Sequence, residues 1–210
     1  MKTTPTKQRI LDAALERFNE RGYVHIRLQH IAEAAEMSVG NMAYHFPHKP
    51  DILHALYGQL RQEQEARLGE IGLTPVFGNF DYFLRQSFLL QLKYRFFYQD
   101  TLELMRESET LRVEHLQLIE FQHLQLEVLL AYNQARGALE WDTSALPLCR
   151  LARQLRRAMD SWFYLQQVEG RQPGDEGAFC SNAWRVLYPW FTEAGLQEYS
   201  ALKKATQVVF

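Results

Sequence analysis

Residues 31–49 decide the fold of this chain, and they read IAEAAEMSVGNMAYHFPHK. Apolar residues recur at helical spacing up to the turn, which predicts a short helix over residues 28–35. Ser38 is a typical N-cap for a further short helix that ends near Phe46. Two short helices joined by so tight a turn predict a helix-turn-helix unit, whose second helix enters the DNA major groove.

Another helix is predicted before this unit. Ile10, Ala14 and Phe18 recur four residues apart, which indicates an amphipathic helix of about four turns. Thr6 is the expected N-cap of this helix, and Gly22 can adopt the left-handed conformation that ends it. The three helices together form a predicted N-terminal domain.

The quoted stretch resembles the DNA-binding segment of the TetR family of bacterial regulators, which typically reads I-A-x-x-A-G-V-S-x-G-x-L-Y-x-H-F-x-x-K. Phe18 to Tyr23 also match the family's F-x-x-x-G-[FY], and the resemblance spans residues 7–57. It implies a repressor that binds a palindromic DNA operator as a homodimer. It also implies a larger helical domain for a small-molecule ligand, whose binding commonly releases the DNA.

Three positions depart from the family pattern. Glu36 replaces the turn glycine, and a positive φ there would cost about 1 kcal/mol of strain. Arg27 follows Ile26 where the family often has a Thr-Ser capping pair, and it is a candidate phosphate contact instead. Ala43 replaces a common aromatic residue, so one expected phosphate contact is lost. These changes bear on the contacts rather than on the fold.

The helix after Ser38 carries most of the candidate DNA contacts. Gly40 leaves its first turn without a side chain, so the backbone can approach a phosphate or base closely. Asn41 can bond adenine in a bidentate manner, whereas Val39 or Met42 can touch a thymine methyl. The predicted DNA-binding residues are Arg27, Gln29, Ser38, Val39, Gly40, Asn41, Met42, Tyr44, His45 and Lys49.

Three polar groups of this set have a second interpretation. Tyr44, His45 and Lys49 are spaced to reach the sugar-phosphate backbone, which sets register and affinity. Alternatively, Tyr44 lies in the core with Phe46, His45 caps its own helix, and Lys49 is an ordinary solvated lysine. The complete pattern favours DNA contact for His45 and Lys49 and leaves Tyr44 open.

Composition and charge are compatible with this interpretation. The chain has 210 residues, 47% of them apolar, and helix formers dominate, which predicts an all-α fold. Its formal net charge is −2. Residues 1–60 nevertheless carry seven basic groups against six acidic groups, together with five histidines. This distribution permits DNA binding without demanding it.

The sequence also predicts the compartment. Cys149 and Cys180 suit a reduced cytosol and form neither a disulfide framework nor a metal site. No run approaches the roughly 18 apolar residues of a membrane span, and residues 1–5 do not lead into a signal-peptide core. We therefore expect a soluble cytoplasmic protein with no membrane partner.

A connecting helix is predicted over about residues 50–70, with Pro50 and Asp51 suited to its first turn. Breaking residues then mark a boundary: Gly69, Gly72, Thr74, Pro75 and Gly78. We place a DNA-binding domain at 1–50 and a helical effector-binding and dimerisation domain, beginning with the connecting helix, at 51–210. Helical stretches in the larger domain are expected at about 79–92, 94–107, 110–136, 144–168, 176–191 and 196–206.

The larger domain is dense in aromatic side chains, most of which should fill its core. So many rings also leave irregular space, and apolar pockets with a few polar groups are typical ligand sites. Residues 94–100 mix rings with polar groups. Phe88, Tyr98 and Phe121 are the candidate ligand-binding residues, and the expected effector is a small apolar or aromatic compound.

Dimerisation is predicted through two long helices near the C-terminus, where TetR-like proteins usually pair. Both helices present more apolar residues than packing against their own chain requires. A competing interpretation places Trp162 and Trp184 in the interior of a monomer. The predicted interface residues are Leu148, Leu151, Leu155, Met159, Trp162, Ala183, Trp184, Leu187, Tyr188 and Phe191.

Enzyme chemistry finds little support in the sequence. His123 has Glu120 and Glu127 at helical spacing, but such a set without a second cluster is far more often a solvated polar face than a metal site. No phosphate loop, dinucleotide fingerprint or nucleophile motif occurs, so we expect no catalytic residue, metal or cofactor. The alternative function is a helical protein–protein interaction module that does not read DNA.

Overall fold

A computed structural model of the chain describes residues 5–70, 76–172 and 174–207, and within them it contains helices and no strand. The predicted all-α class is therefore confirmed. The helices are α1 (Pro5–Arg21), α2 (Leu28–Ala34), α3 (Val39–His45), α4 (Lys49–Glu70), α5 (Phe77–Lys93), α6 (Arg95–Gln99), α7 (Thr101–Glu107), α8 (Glu109–Ala135), α9 (Leu148–Asp160), α10 (Trp162–Val168), α11 (Glu176–Leu187) and α12 (Glu193–Gln207), with a 3₁₀ turn at Tyr188–Trp190.

The N-terminal domain consists of α1, α2 and α3, as predicted. Ser38 caps α3, because its side chain accepts a 3.2 Å hydrogen bond from the backbone N–H of Asn41. Gly22 ends α1 at a φ of 77°, and Glu36 has a φ of 52°, so the turn does hold a strained residue. Thr6 is not a cap, because α1 already includes Pro5.

The connecting helix α4 joins the two parts of the molecule. Its N-terminal turn is closed by Asp51, whose carboxylate accepts a 2.8 Å hydrogen bond from the backbone N–H of His48. Its buried face, which includes Leu53 and Leu56, continues the core of the N-terminal domain into the larger domain. α4 contacts α1 at one end and α5 and α8 along its length.

The predicted boundary is only partly covered by the described residues. Gly69 lies within α4 and Gly78 within α5, so neither breaks a helix as we had expected. Gly72, Thr74 and Pro75 lie outside the described residues. The division of the chain into two domains at residue 50 stays a prediction.

Two predicted stretches of the larger domain are divided. The stretch 94–107 forms α6 and α7, which meet at Asp100. The stretch 144–168 forms α9 and α10, which meet at Ser161, where the hydroxyl donates 2.8 Å to the carbonyl of Arg157. Such back-bonding by serine favours a bend in a helix.

The start of α9 was also predicted too early. The carboxylate of Asp142 accepts hydrogen bonds from the backbone N–H (2.8 Å) and the hydroxyl (2.6 Å) of Ser144, which closes a turn instead of a helix N-terminus. α9 begins only after Pro147. Gly137 and Gly170 have positive φ, and both follow helix ends as expected.

The larger domain is a bundle in which α9 packs against α8 and α11, and α11 packs against α5. α12 lies across α5, and the Tyr199 ring contacts the Trp184 ring of α11 at a centroid distance of 5.0 Å. Among the described residues, no helix combines the length and apolarity that a membrane span requires.

Candidate DNA interface and effector cavity

The outer face of α3 is open to solvent. Val39 is 42% exposed and Tyr44 is 85% exposed, so the alternative that placed Tyr44 in the core is wrong. Gly40 and Asn41 are also exposed, and a Cβ atom on Gly40 would meet no described atom within 4 Å. Because of these features, α3 can approach another surface closely at its first turn.

Met42 does not belong to this face, so its assignment as a DNA contact is wrong. Its side chain is fully buried. Met42 lies one helical turn before Phe46, which is also buried, and this spacing directs both side chains to the core. The error arose because both faces of so short a helix carry apolar residues.

Lys49 is half-buried, so the alternative that made it an ordinary solvated lysine is wrong. Its Nζ donates hydrogen bonds to the carbonyls of Tyr23 (3.1 Å) and Ile26 (3.0 Å), and it lies 3.9 Å from the Tyr23 ring centroid. Burial lowers the pKa of Lys49, partly offset by Glu107. Lys49 therefore fixes the segment between α1 and α2, and any DNA contact would use its remaining N–H.

The other predicted DNA-contacting groups lie at or near the surface. Arg27 is exposed and stands at the N-cap position of α2, where its backbone N–H donates 3.2 Å to Nδ1 of His30. Gln29 is exposed and donates to Glu33 at 3.0 Å. The half-buried His45 ring lies 5.3 Å from the Tyr44 ring. Their contacts with DNA stay a prediction.

The N-terminal domain is bonded to the segment 93–100 of the larger domain. The carboxylate of Asp100 accepts a 2.8 Å hydrogen bond from the backbone N–H of Tyr23. Asn19 donates 2.8 Å to the carbonyl of Lys93 and accepts 3.1 Å from the backbone N–H of Phe96. We name the pair Tyr23–Asp100 the domain latch.

The sequence did not predict these interdomain contacts. Asn19 belongs to a segment that we had matched only to a family motif, and Asp100 ends a stretch that we had considered for ligand binding. The sequence feature that could have indicated these contacts is the density of polar groups among the rings of residues 94–100. Arg95 adds a further bond, since its Nε donates 3.1 Å to the carbonyl of Asn19.

A small cavity of about 40 Å³ lies between α4, α5, α6, α8 and α9. Its apolar walls include Leu90, Leu126 and Met159. Its polar groups include Arg156 and Asp160, which form an ion pair. The complete lining is Gln64, Arg67, Phe83, Ser87, Leu90, Gln91, Tyr98, Gln122, Leu126, Arg156, Met159 and Asp160.

Two acceptors of this cavity are left unsatisfied. The Oε1 atoms of Gln64 and Gln91 are buried and have no hydrogen-bond partner among the described residues. Gln91 is only 3% exposed, whereas Gln64 donates 2.9 Å to the Tyr98 hydroxyl through its other amide atom. A buried acceptor without a donor costs about 1–3 kcal/mol, so these two oxygens are suited to accept hydrogen bonds from water or from a bound molecule that supplies donors.

Burial also affects the ionisable groups of the cavity. It raises the pKa of Tyr98 well above its ordinary value, and Asp160 adds to this effect. Burial raises the pKa of Asp160 as well, although Arg156 opposes the shift. Tyr98 thus stays a neutral hydrogen-bonding group at every physiological pH.

Comparison with known proteins identifies the family. Residues 10–56 match the profile described as bacterial regulatory proteins, tetR family, and residues 53–199 match the TetR profile described as bacterial transcriptional repressor. The chain belongs to the TetR family. It is therefore a DNA-binding transcriptional regulator, as predicted, and the interaction-module alternative is not favoured. Regulators of the TetR family function as dimers and are typically not enzymes.

Solved structures agree with the TetR fold. A TetR-family regulator from Marinobacter aquaeolei VT8 superposes with a TM-score of 0.82 at 20% identity, covering 97% of this chain and 98% of that chain. The ketosteroid regulator KstR2 of Mycobacterium tuberculosis gives 0.71 at 18% identity, covering 91% and 98%. Identities this low show a shared fold alone. No curated protein sequence matches the chain significantly.

Only one of the three ligand residues predicted for this TetR-family chain lines the cavity, and it is Tyr98. Phe88 is packed in the core, with its ring 5.7 Å from that of Phe163 and 5.5 Å from that of Phe179. Phe121 is 43% exposed, because it lies on the outer face of α8. The assignments of Phe88 and Phe121 to the cavity are therefore wrong.

Most of the predicted dimer interface is interior core in this TetR-family chain. Trp184 is 1% exposed, and its Nε1 donates 2.8 Å to Asp81, so the monomer-core interpretation holds for it. An interface needs accessible side chains, so the prediction is wrong for the fully buried residues Leu151, Leu155, Ala183, Trp184 and Leu187.

The remaining members of the predicted interface differ in position. Met159 lines the cavity, and Tyr188 is 55% exposed. Leu148, Trp162 and Phe191 are partly buried against the core. The place of these residues in a dimer interface stays a prediction.

The His123 cluster also has a structural explanation. His123 is buried, and its Nε2 accepts a 2.9 Å hydrogen bond from Nε of Arg156. Burial and Arg156 both lower the pKa of His123, which favours the neutral ring that this bond requires. Among the described residues, no group of three or more His, Cys, Asp and Glu side chains could hold a metal ion.

Proposed function

We propose that this protein is a repressor that binds a palindromic operator as a homodimer and releases it when a small effector occupies the cavity. The exposed residues of α3, with Gly40 and Asn41 at its first turn, support DNA reading. Two reading heads, one DNA turn apart, recognise a palindrome far better than one.

The observation that carries the effector proposal is the position of Tyr98 and Asp100. Tyr98 lines the cavity, and Asp100, two residues later, holds the N-terminal domain through the domain latch. A ligand that displaces the Tyr98 ring therefore moves the segment that positions Asp100. Coupling between two sites requires such an element with more than one arrangement.

The connecting helix supplies a second route. Gln64 and Arg67 of α4 line the cavity, while Lys49 at the other end of α4 holds the segment before α2. A shift of α4 along its axis would thus reposition the helix-turn-helix unit directly. Both routes end on Tyr23, because Lys49 bonds its carbonyl and Asp100 bonds its N–H.

The cavity also indicates what kind of effector fits. Most of the surface of its walls is apolar although many of its lining residues are polar, and the Oε1 atoms of Gln64 and Gln91 can accept hydrogen bonds from donors. We therefore expect a small apolar or aromatic compound that carries at least one hydroxyl or amine group. A volume of about 40 Å³ holds only a few waters, so such a compound must push the walls apart.

Asp100→Ala tests the coupling. We expect the variant to bind effector normally, measured by the thermal shift with a compound found by screening, but to release operator DNA less than wild type does. Glu103→Ala is the control, because Glu103 is exposed and pairs only locally with Arg106. Release by the Asp100→Ala variant at the wild-type effector concentration would contradict the proposal.

A further inference from the structure

Two further cavities adjoin the cavity of about 40 Å³, which we call the inner cavity. One, of about 320 Å³, lies between α6, α7, α8 and α9, and the other, of about 330 Å³, lies between α6, α7, α9 and α10. Both are open to solvent, since the exposed Leu116 lines the first and the exposed Leu102 lines the second. Tyr98, Arg156 and Asp160 line all three, so these residues lie where the cavities meet.

The ionisable side chains around these cavities carry an excess of positive charge. Among the described residues that line them, Asp160 supplies one carboxylate, against four arginines: Arg67, Arg112, Arg156 and Arg157. Arg112 is neutralised by Glu109, which lies outside the cavities, whereas Arg157 is exposed beside Tyr98 and Asp160 in the third cavity. An excess of positive charge attracts an anionic ligand and opposes a cationic one.

The inner cavity has the same imbalance. Arg67 adds a second cation to that of Arg156, and Oε2 of Glu63 stands 3.9 Å from its Nη2. Glu63 instead accepts 2.6 Å from Nζ of Lys93 and 2.7 Å from the hydroxyl of Tyr94. The cavity wall thus holds two guanidinium groups and one carboxylate, and a ligand with a single negative charge would balance them.

Arg156 is the group best placed to bind that charge. Its side chain is 17% exposed, its Nε donates 2.9 Å to Nε2 of His123, and its Nη1 donates to the Asp160 carboxylate. A guanidinium has five N–H donors in a rigid fork. Arg156 has no further acceptor in the part of the chain that the structure describes, so three of its donors, both of those on Nη2 included, are free. Arg156 can therefore bind a second carboxylate without losing Asp160.

The rest of the inner cavity fits the remainder of such a molecule. The buried Oε1 atoms of Gln64 and Gln91 can accept hydrogen bonds from a hydroxyl group. Leu90, Leu126 and Met159 cover an apolar body. A carboxylate has no N–H or O–H to donate, so the hydroxyl must be a separate group of the ligand.

We infer that the effector is a small hydroxylated carboxylic acid, with its carboxylate on Arg156 and its apolar body in the inner cavity. The inference rests on the proposed function, because it names the class of compound that occupies the effector cavity. Cationic compounds fit this site poorly, because Asp160 already has Arg156 as its partner and Arg67 would repel the added charge.

Matched compounds test the charge of the effector. A panel of hydroxylated aromatic and aliphatic carboxylic acids, at millimolar concentration, is compared by thermal shift with the primary amide and the amine analogue of each acid. At least one acid should raise the Tm of the full-length protein and weaken its binding to operator DNA. Its amide and amine should bind at least about tenfold more weakly, because they lose the charge-assisted hydrogen bonds. An amide or amine that binds as tightly as its acid, or the absence of any stabilising acid, would overturn the inference.

Substitutions on α9 test the position of the carboxylate. Arg156→Met should weaken binding of the acid at least about tenfold and remove the preference for the acid over its amide, measured by isothermal titration calorimetry. Arg150→Met is the matched control, because Arg150 is exposed on the same helix and lines none of the three cavities. It should bind the acid as wild type does.

Asp160→Asn should change the affinity in the opposite direction. It removes the negative charge that the acid must approach, so the acid should bind several-fold more tightly than it binds to wild type. A general loss of folding would not produce this gain, which keeps the inference testable even if Arg156→Met fails to fold. Unchanged affinity for the acid in Arg156→Met, or unchanged or weaker affinity in Asp160→Asn, would overturn the inference.

Failure of the inference differs from failure of the proposed function. If a neutral or cationic compound stabilises the protein and releases operator DNA while the acids do neither, the carboxylate is refuted and the proposed function stands. If an acid binds through Arg156 but releases no operator DNA, the proposed release is refuted and the class of bound compound stands.

Discussion

The Asp100 carboxylate accepts a 2.8 Å hydrogen bond from the backbone N–H of Tyr23, and the same carboxylate closes over Gly22. A Cβ atom on Gly22 would stand 3.1 Å from Oδ2 of Asp100, and the φ of Gly22 is +77°. The contact between the two domains therefore depends on a residue without a side chain at the end of α1.

Gly22→Ala should destabilise the protein more than a typical left-handed glycine replacement. The substitution adds about 1–2 kcal/mol of backbone strain and crowds the Asp100 carboxylate as well. Gly137→Ala is the matched control, since Gly137 has a φ of +74° but no described atom within 4 Å of its Cβ position. Urea unfolding measures both variants, and equal losses would contradict the steric contribution of Asp100.

Gly40→Ala should separate DNA binding from folding. The free protein has room for the methyl group, so the free energy of unfolding should stay within about 1 kcal/mol of wild type. DNA affinity should fall, because the methyl group would stand where α3 approaches the groove. Gly58→Ala on α4 is equally uncrowded and should leave DNA affinity unchanged. Fluorescence anisotropy with operator DNA compares the affinities of the wild type and the two variants. A Gly40→Ala variant with wild-type DNA affinity would show that α3 does not form the interface with DNA.

Asn41→Ala and Met42→Ala should have opposite consequences although they are neighbours. Asn41 is exposed, so its loss should cost roughly 1–3 kcal/mol in specific DNA binding and little stability. Met42 is fully buried, so its truncation should cost about 2–5 kcal/mol of stability. Thermal melts and anisotropy titrations distinguish them. Loss of stability in Asn41→Ala with unchanged binding would show that the outer face of α3 has been misassigned.

The N-terminal domain was predictable because its signals are local. Ser38 is a cap whatever the rest of the chain does, and Gly22 ends α1 for reasons of backbone geometry alone. Met42 shows the limit, because apolarity alone does not tell which side of a seven-residue helix meets the core.

The larger domain was harder to predict because apolar periodicity does not distinguish the chain's own core from a partner. Trp184 is covered by Phe77 of α5 and Tyr199 of α12, which are 107 and 15 residues away in the sequence. Phe121 stands in a run as apolar as its neighbours, yet it faces solvent. Both outcomes depend on how distant helices pack, and no local pattern encodes that.

Trp184→Phe should destabilise the fold without separating the two copies. The substitution removes the indole N–H that bonds Asp81 at 2.8 Å and leaves a buried carboxylate oxygen with one partner fewer, which costs about 1–3 kcal/mol. The sedimenting mass should stay that of wild type, because Trp184 lies inside one chain. If the Trp184→Phe variant dissociated into single chains while its free energy of unfolding stayed unchanged, Trp184 would belong to the dimer interface after all.

Acid should destabilise the larger domain through His115. Burial, together with Arg156, lowers the pKa of His115 to about 4. The unfolded chain, with a histidine pKa near 6.5, binds more protons in this range, so stability falls as the pH falls from 6.5 towards 4. The loss from this residue is up to about 3 kcal/mol. His115→Gln should flatten the pH dependence of the free energy of unfolding in urea over this window. An unchanged dependence of that free energy on pH would show that other residues cause the acid sensitivity.

Selection of genomic DNA fragments by the purified wild-type protein, followed by sequencing and a gel shift in a salt series, tests the central claim most directly. A TetR-family repressor that reads DNA through α3 should enrich a palindromic site, bind it more tightly than unrelated DNA of equal length, and lose affinity as salt rises. Retention of all fragments equally, or of none at low salt, would contradict the account.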